Sequence, residues 1–166
     1  MPITADQVKQ LRDMTGAGMM ECKKALAETG GDLDRAVDAL RKSGAARAEQ
    51  RSGRAAQEGR VDSYIHPGNR VGVLIEVNCE TDFVARTDDF RGLAKHIAQQ
   101  VAAMDPKYVS RGDVPAGVET QDGEVLMEQE FIRQSGRTIE DLVKETIAKV
   151  GENVVVRRFT RYELGV

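Results

Sequence analysis

The strongest constraint on how this chain can fold is a change of hydrophobic period on either side of residues 43–59. Before that stretch, apolar residues recur at helical spacing: Val8, Leu11 and Met14; then Met19, Cys22 and Leu26; then Leu33, Ala36, Val37 and Leu40. After it come extended blocks, Arg60 to His66 and Val71 to Asn78, and only then does helical spacing return. The stretch itself runs Ser-Gly-Ala-Ala-Arg-Ala-Glu-Gln-Arg-Ser-Gly-Arg-Ala-Ala-Gln-Glu-Gly, with no large apolar side chain to grip a core. It reads as a linker, helical in part. Its Arg47, Arg51 and Arg54 are interrupted by Glu49 and Glu58, which favours a solvated face over contact with an acidic partner or RNA. The expected division is a three-helix module with linker over 1–54 and a mixed core over 55–166.

Local signals place the elements. Thr4 and Gln7 form a capping box ahead of a first helix that stops at Gly16 to Gly18. A second helix, Met19 to Glu28, puts Met19, Cys22 and Leu26 on one face with Lys23 and Lys24 outside, and ends at Gly30-Gly31. Asp32 caps a third, with Gly44 beyond its end. Pro67-Gly68-Asn69-Arg70 pre-sets a reversal between the two extended blocks, giving an antiparallel hairpin. Thr87 caps a long helix with Phe90, Leu93, Ala94, Ile97, Val101 and Met104 along one stripe, which should cover one face of the sheet. Residues 107–137 have weak periodicity and are assigned to no single element. Thr138 caps a last helix carrying Ile139, Leu142, Val143, Ile147 and Val150; Gly151 stops it, and Val154 to Tyr162 forms a final strand.

Charge and composition exclude several classes. With 24 Lys and Arg against 27 Asp and Glu, the net charge of −3 argues against a chain that grips a phosphate backbone, so no direct nucleic-acid contact is expected. No apolar run is long enough for a membrane span, and the amino terminus has neither the basic start nor the apolar stretch of a secretory signal. A cytoplasmic protein with reduced Cys22 and Cys79 is expected. Those thiols, with His66 and His96, are of zinc-binding type but lack the close spacing of a zinc site. Cys79 with His96 as thiol and base has no supporting spacing, and a cysteine closing an apolar strand is usually a small core residue. Gly16-Ala17-Gly18 follows a helix rather than a strand, so it reads as a stop and a start, not a phosphate loop. Asp88 and Asp89 favour the positive end of the long helix. No metal, cofactor or catalytic residue is assigned.

What remains is apolar material on short turns. In Leu74 to Arg86, Leu-Ile-Glu-Val-Asn-Cys-Glu-Thr-Asp-Phe-Val-Ala-Arg, an apolar strand runs into a polar turn that ends in Phe83. That ring is either held out for a partner or folded back as a staple on the next helix, with Asp82 helping to cap the turn. Met19 and Met20 are adjacent, so a helix that buries one tends to present the other, and flexible thioethers suit an adaptable contact surface.

Three runs carry a family resemblance. Leu11-Arg12-Asp13-Met14-Thr15-Gly16-Ala17-Gly18-Met19-Met20-Glu21-Cys22-Lys23-Lys24-Ala25-Leu26 resembles the amino-terminal signature of the bacterial elongation factor Ts family. Glu76-Val77-Asn78-Cys79-Glu80-Thr81-Asp82-Phe83-Val84-Ala85 resembles its second signature, and Lys149-Val150-Gly151-Glu152-Asn153-Val154-Val155-Val156-Arg157-Arg158 looks like a third. The runs are long and in order, so the resemblance covers nearly the whole chain.

The resemblance implies an α+β protein: an amino-terminal three-helix bundle similar to ubiquitin-associated domains, a linker, and a small antiparallel sheet covered by helices. It implies a nucleotide exchange factor for the translational GTPase elongation factor Tu, not an enzyme that makes or breaks bonds. By motif, Asp82 and Phe83 would enter the GTPase near the magnesium end of its nucleotide site. Arg12, Met19, Met20 and Lys23 would meet the same domain from the bundle, and Val150 and Gly151 match a further contact. Tyr64-Ile65-His66, with Gly68 and Val71-Gly72-Val73-Leu74, looks like a motif from the second of two core halves in longer members, which adds His66 to the partner-binding set. Thr81-Asp82-Phe83-Val84 belongs to the first half, so one core unit here carries features of both. If two halves are needed, a twofold homodimer can supply the second. Val118 to Phe131 is short and lacks the helical hairpin usual there. The alternative reading from another class is a ubiquitin-like-protein-binding adaptor, with the bundle as grip and the core as scaffold; a thiol-dependent enzyme is the third.

Overall fold

Four of the five longer helices begin at a side-chain acceptor that takes one of the free N–H groups of the first turn. In the computed structural model, which describes residues 3–166, Thr4 and Gln7 form the reciprocal capping box of α1 (Ala5–Thr15). Asp32 accepts from the Arg35 N–H at the start of α3 (Leu33–Arg51), Thr87 from that of Phe90 at the start of α5 (Asp88–Met104), and Thr138 from that of Asp141 at the start of α6 (Ile139–Val150). Between α1 and α2 (Met19–Glu28), Gly16 sits at φ 66°, a left-handed closure that a Cβ disfavours. Helices α1 to α3 enclose a small core of Val8, Leu11, Cys22, Ala25, Leu26, Ala36, Val37 and Leu40.

The hairpin forms as its turn residues require. Gly68 and Asn69 both take positive φ, and β1 (Glu58–Ile65) returns as β2 (Val71–Cys79). The last strand, β3 (Val154–Glu163), pairs antiparallel on the other side of β2, giving the order β1-β2-β3 with an irregularity at Glu76/Val77. Strand alternation decides which side is dry. Val73, Ile75, Val77 and Cys79, with Val154 and Val156, lie in the main core with Phe90, Leu93, Ile97 and Val101 of α5 and Ile139, Val143 and Ile147 of α6. On the other face Val61, Ile65, Leu74 and Tyr162 are exposed, and no helix of the described residues covers them. The fold is thus α+β: the described residues form six helices, one of them a single turn, and a three-stranded sheet.

The expected linker is the main departure. α3 runs unbroken through Gly44, which was expected beyond its end, to Arg51. Small residues turn out to be the anchor: a Cβ on Gly44 would stand 3.3 Å from the Ala148 Cβ, so α3 and α6 approach closely, and Ala48 is buried in the main core. The arginines read as a solvated face are latches. Arg47 pairs with Glu21, Arg51 donates to the Ile147 carbonyl at 3.3 Å, and Arg54 lies 3.7 Å from Glu80. Lack of large side chains removes the hydrophobic signal, not the packing.

Two smaller corrections concern α5 and the segment after it. Met104, expected on the buried stripe, is exposed, because it is the last helical residue and the chain turns away through Asp105 at φ 47°. Gln100, which the stripe leaves out, is fully buried. Its Nε2 donates to Gln129 Oε1 and the Glu130 carbonyl, both at 3.0 Å, and its Oε1 accepts from the Ile132 N–H at 3.0 Å. That amide ties residues 129–132 to α5, and residues 107–137 hold two short 3-10 turns, Arg111–Asp113 and Leu126–Glu128, and bury Val125, Leu126 and Phe131.

Candidate functional site

Phe83 lies where β2 leaves the core. Cys79 Sγ donates to the Thr81 carbonyl at 3.1 Å, and Thr81 Oγ1 then accepts from the Val84 N–H at 3.3 Å, capping a single helical turn, α4 (Asp82–Ala85). Val84 and Ala85 take the buried side of that turn. Phe83 is left outward, 77% exposed. Of the two readings of this ring, the staple is therefore excluded. Asp82 does not cap the turn, since Thr81 does; its carboxylate pairs with Arg86 at 2.8 Å in open solvent, where such a pair contributes little.

The turn is tied to the end of α6. Glu152 Oε2 accepts the N–H groups of Glu80 at 3.1 Å and Thr81 at 3.0 Å, while its Oε1 accepts the Thr81 hydroxyl at 2.7 Å. Glu80 Oε1 in turn accepts the Asn153 N–H at 2.7 Å. Gly151, exposed, closes α6 at φ 80°, and Val150 is half-buried against the main core. Sequence reasoning named Val150 and Gly151 but gave no part to Glu80, Glu152 or Asn153. The one local clue was their position beside a helix stop and a strand end, where backbone N–H groups lack ladder partners.

The α1–α2 turn presents a methionine cluster. Met20 is 76% and Met19 48% exposed, and Met14, Arg12 and Lys23 are exposed beside them in sequence. Met19 was expected on the buried face; Cys22, Ala25 and Leu26 fill that face, and Ala17 packs against the core at the helix entry instead. Lys149 links this turn to the core. Its side chain lies over Gly16, where a Cβ would come within 3.1 Å of Cε, and its Nζ reaches Asp89 at 2.6 Å at the start of α5. Contacts thus connect the Gly16–Met20 turn, the Lys149–Glu152 segment and the Phe83 turn.

His66 stands apart. It occupies the tip of the hairpin, where the Tyr64 hydroxyl lies 3.1 Å from its Nδ1. The nine residues of β2 separate that tip from the Phe83 turn, roughly 30 Å at strand rise. One chain does not bring His66 to Phe83.

The remaining titratable candidates are structural. Burial pushes the Cys79 thiol up to about 11, with the Glu152 carboxylate adding to the effect, so it is neutral near pH 7 and unfit as a nucleophile. Cys22 is likewise raised by burial and lies in the separate bundle core. His96 rests against Phe131 at 5.6 Å, and burial, then Arg133 and Lys95, holds its imidazole below the ordinary value. Among the described residues no group of three His, Cys, Asp or Glu side chains could hold a metal ion.

Known proteins match this arrangement across its length. Residues 44–133 fit the family model described as elongation factor TS. Elongation factor Ts of Thermoanaerobacter sp. (strain X514) is 48% identical, with 98% of this chain and 95% of that protein aligned. That of Moorella thermoacetica is 49% identical over 98% and 96% of the two chains. That of Coprothermobacter proteolyticus is 50% identical over 99% and 100%. The alignment with the first extends to 194 positions for a chain of 166, so the relative carries segments absent here. With identity near one half from the bundle to the last strand, the chain belongs to the elongation factor Ts family.

Proposed function

We propose that this chain, a translation elongation factor and the nucleotide exchange factor for elongation factor Tu, works through the Phe83 turn, which disturbs the magnesium and phosphate end of the GTPase nucleotide site. The observation that carries this reading is a phenylalanine 77% exposed on a capped, hydrogen-bonded turn. A ring already held outward needs little ordering on contact, which favours a stiff wedge. Magnesium demands near-octahedral geometry and bridges nucleotide phosphates to protein, so a small displacement of its surroundings weakens GDP strongly. Coupling is reciprocal: a factor that loosens nucleotide is loosened by nucleotide to the same extent, and it leaves when GTP arrives. No step requires a catalytic side chain, cofactor or metal on this chain.

The other candidate residues take supporting parts. Residues 1–54 act as a docking module, with Arg12, Met19, Met20 and Lys23 on the GTPase and Val150, Gly151 and Asp82 continuing the contact towards Phe83. The uncovered sheet face of Val61, Ile65, Leu74 and Tyr162 supports a twofold homodimer across that face. Such a pair also accounts for His66, which one chain holds too far from its own Phe83 to serve the same contact. Action in the cytoplasm, without direct nucleic-acid contact, agrees with the net charge of −3 and with described helices none of which is long and apolar enough to cross a membrane. The adaptor reading has no separate observation in its favour, since the relatives match bundle and core together. The test is release of labelled GDP from purified elongation factor Tu: substoichiometric amounts of this chain should accelerate it, and an unchanged rate at saturating factor would overturn the proposal.

A further inference from the structure

A single helical turn cannot define its own direction. α4 has four residues, far short of a helix that holds itself in water, so the aim of Phe83 comes from the burial of Val84 and Ala85 and from the turn's flanks. On the carboxyl side the Thr87 N–H donates to the Val84 carbonyl at 3.0 Å, leading into α5. On the amino side the two residues before Asp82 have no ladder partner of their own. Their N–H groups and the Thr81 hydroxyl all go to one carboxylate, Glu152, brought from 71 and 72 residues away. The contact is reciprocated by Glu80 on the Asn153 N–H, and Asn153 Nδ2 extends it to the carbonyls of Ser52 at 3.3 Å and Arg54 at 2.7 Å, just past α3. Beside the burial of Val84 and Ala85 in the main core, the root of the Phe83 turn is therefore fixed to the α6–β3 junction by an exchange of carboxylates.

We propose that Glu152 is a positioning residue for nucleotide exchange: through Glu80 and Thr81 it holds the α4 turn so that Phe83 presents a rigid ring to the GTPase. The proposal rests on the wedge reading of Phe83. Losing the carboxylate frees three donors at the root of the turn, and the ring then samples directions other than the productive one. Encounter through the methionine cluster is untouched, so the maximal rate should fall while half-saturation stays close to its original value. A purely structural part would instead reduce the folded fraction and leave the rate per folded molecule unchanged.

Four variants of the full chain decide it: Glu152→Ala, Glu152→Gln, Phe83→Ala and the double variant Phe83→Ala/Glu152→Ala. Each is followed by GDP release from elongation factor Tu over a range of factor concentrations, by thermal melting and by amide hydrogen exchange at Glu80 and Thr81. The expected result is loss of protection at those amides and a maximal rate lowered roughly tenfold or more by Glu152→Ala, since a small misplacement of a working group has effects of that size. Glu152→Gln should recover part of the rate, because its amide oxygen still accepts N–H groups, and it carries the same comparison if the alanine variant fails to fold. The double variant should be no slower than Phe83→Ala alone, as expected of residues acting as a unit. A normal maximal rate for folded Glu152 variants, or defects that multiply in the double variant, would overturn the role of Glu152 and leave the wedge standing. Normal exchange by Phe83→Ala would overturn the wedge, and this proposal with it.

Discussion

Replacing Gln100 by leucine tests whether one buried amide ties residues 129–132 to α5. The substitution nearly conserves volume, so the effect should come from hydrogen bonding and not from packing. It removes three bonds of 3.0 Å, to Gln129 Oε1, the Glu130 carbonyl and the Ile132 N–H. At about 1 kcal/mol net each these sum to roughly 3 kcal/mol, and an N–H left without a partner at Ile132 adds about 1–3 kcal/mol. Burying leucine in place of the amide offsets about 1–2 kcal/mol. The balance is a destabilisation near 3 kcal/mol, which for a chain of 166 residues lowers the melting temperature by roughly 6–12 °C. Calorimetric or circular-dichroism melts measure this directly. Limited tryptic digestion should show faster cleavage after Arg133 and Arg137 in the variant, since the segment loses its tie to α5. GDP release at 25 °C should be unchanged, because none of the three partners contacts the Phe83 turn. A melting temperature within about 2 °C of the original would refute the reasoning, for then the buried amide would contribute almost nothing beyond what leucine supplies.

Three other outcomes are expected of the same structure. Met20→Ala should raise the dissociation constant for the GTPase on the order of tenfold, the effect of truncating an interface anchor worth about 1.4–2 kcal/mol, with no change in melting temperature; equal affinity would remove the bundle from the contact. Light scattering should give twice the 18.2 kDa chain mass, and Leu74→Asp on the uncovered face should reduce it to one; a fully active monomer of the original chain at micromolar concentration would contradict the dimer. The folded state holds the His96 imidazole below its ordinary 6.5, so the unfolded chain binds the proton first. The stability this leaves is present above about 6.5 and is lost as pH falls from there towards the folded value. Stability should therefore decline more steeply below pH 6.5 in the original chain than in His96→Gln, and parallel declines would contradict the assignment.

Much of the fold was legible because its signals are local. Thr4 with Gln7, Asp32, Thr87, Thr138 and the Pro67–Arg70 turn each act within three or four residues, and each forms as its chemistry dictates. What stayed illegible depends on partners distant in sequence. Gly44 and Ala48 look like linker residues until α6 is placed against them, because close approach of two helices needs small side chains and leaves no hydrophobic trace. Gln100 looks like the polar side of α5 until residues 129–132 fold over it. The direction of Phe83 was open in the sequence because a one-turn helix can bury either side; Val84 and Ala85 settled it by reaching the core. Asp82 and Phe83 could be singled out as a motif. The carboxylate that holds their turn, 71 residues beyond Thr81, could not.

The central claim is that Phe83 is a rigid, outward group serving exchange and not the fold, and thermal melts of Phe83→Ala measured beside its GDP-release rate test it most directly. A phenylalanine side chain presents about 200 Å², and at 77% exposure about a quarter of that is buried, worth roughly 1 kcal/mol at about 25 cal/mol per Å². A buried ring would instead contribute about 3–5 kcal/mol. The account predicts a melting temperature lowered by no more than about 4 °C together with GDP release slowed at least about tenfold. A strongly destabilised variant whose remaining folded fraction exchanges nucleotide at the normal rate would contradict it.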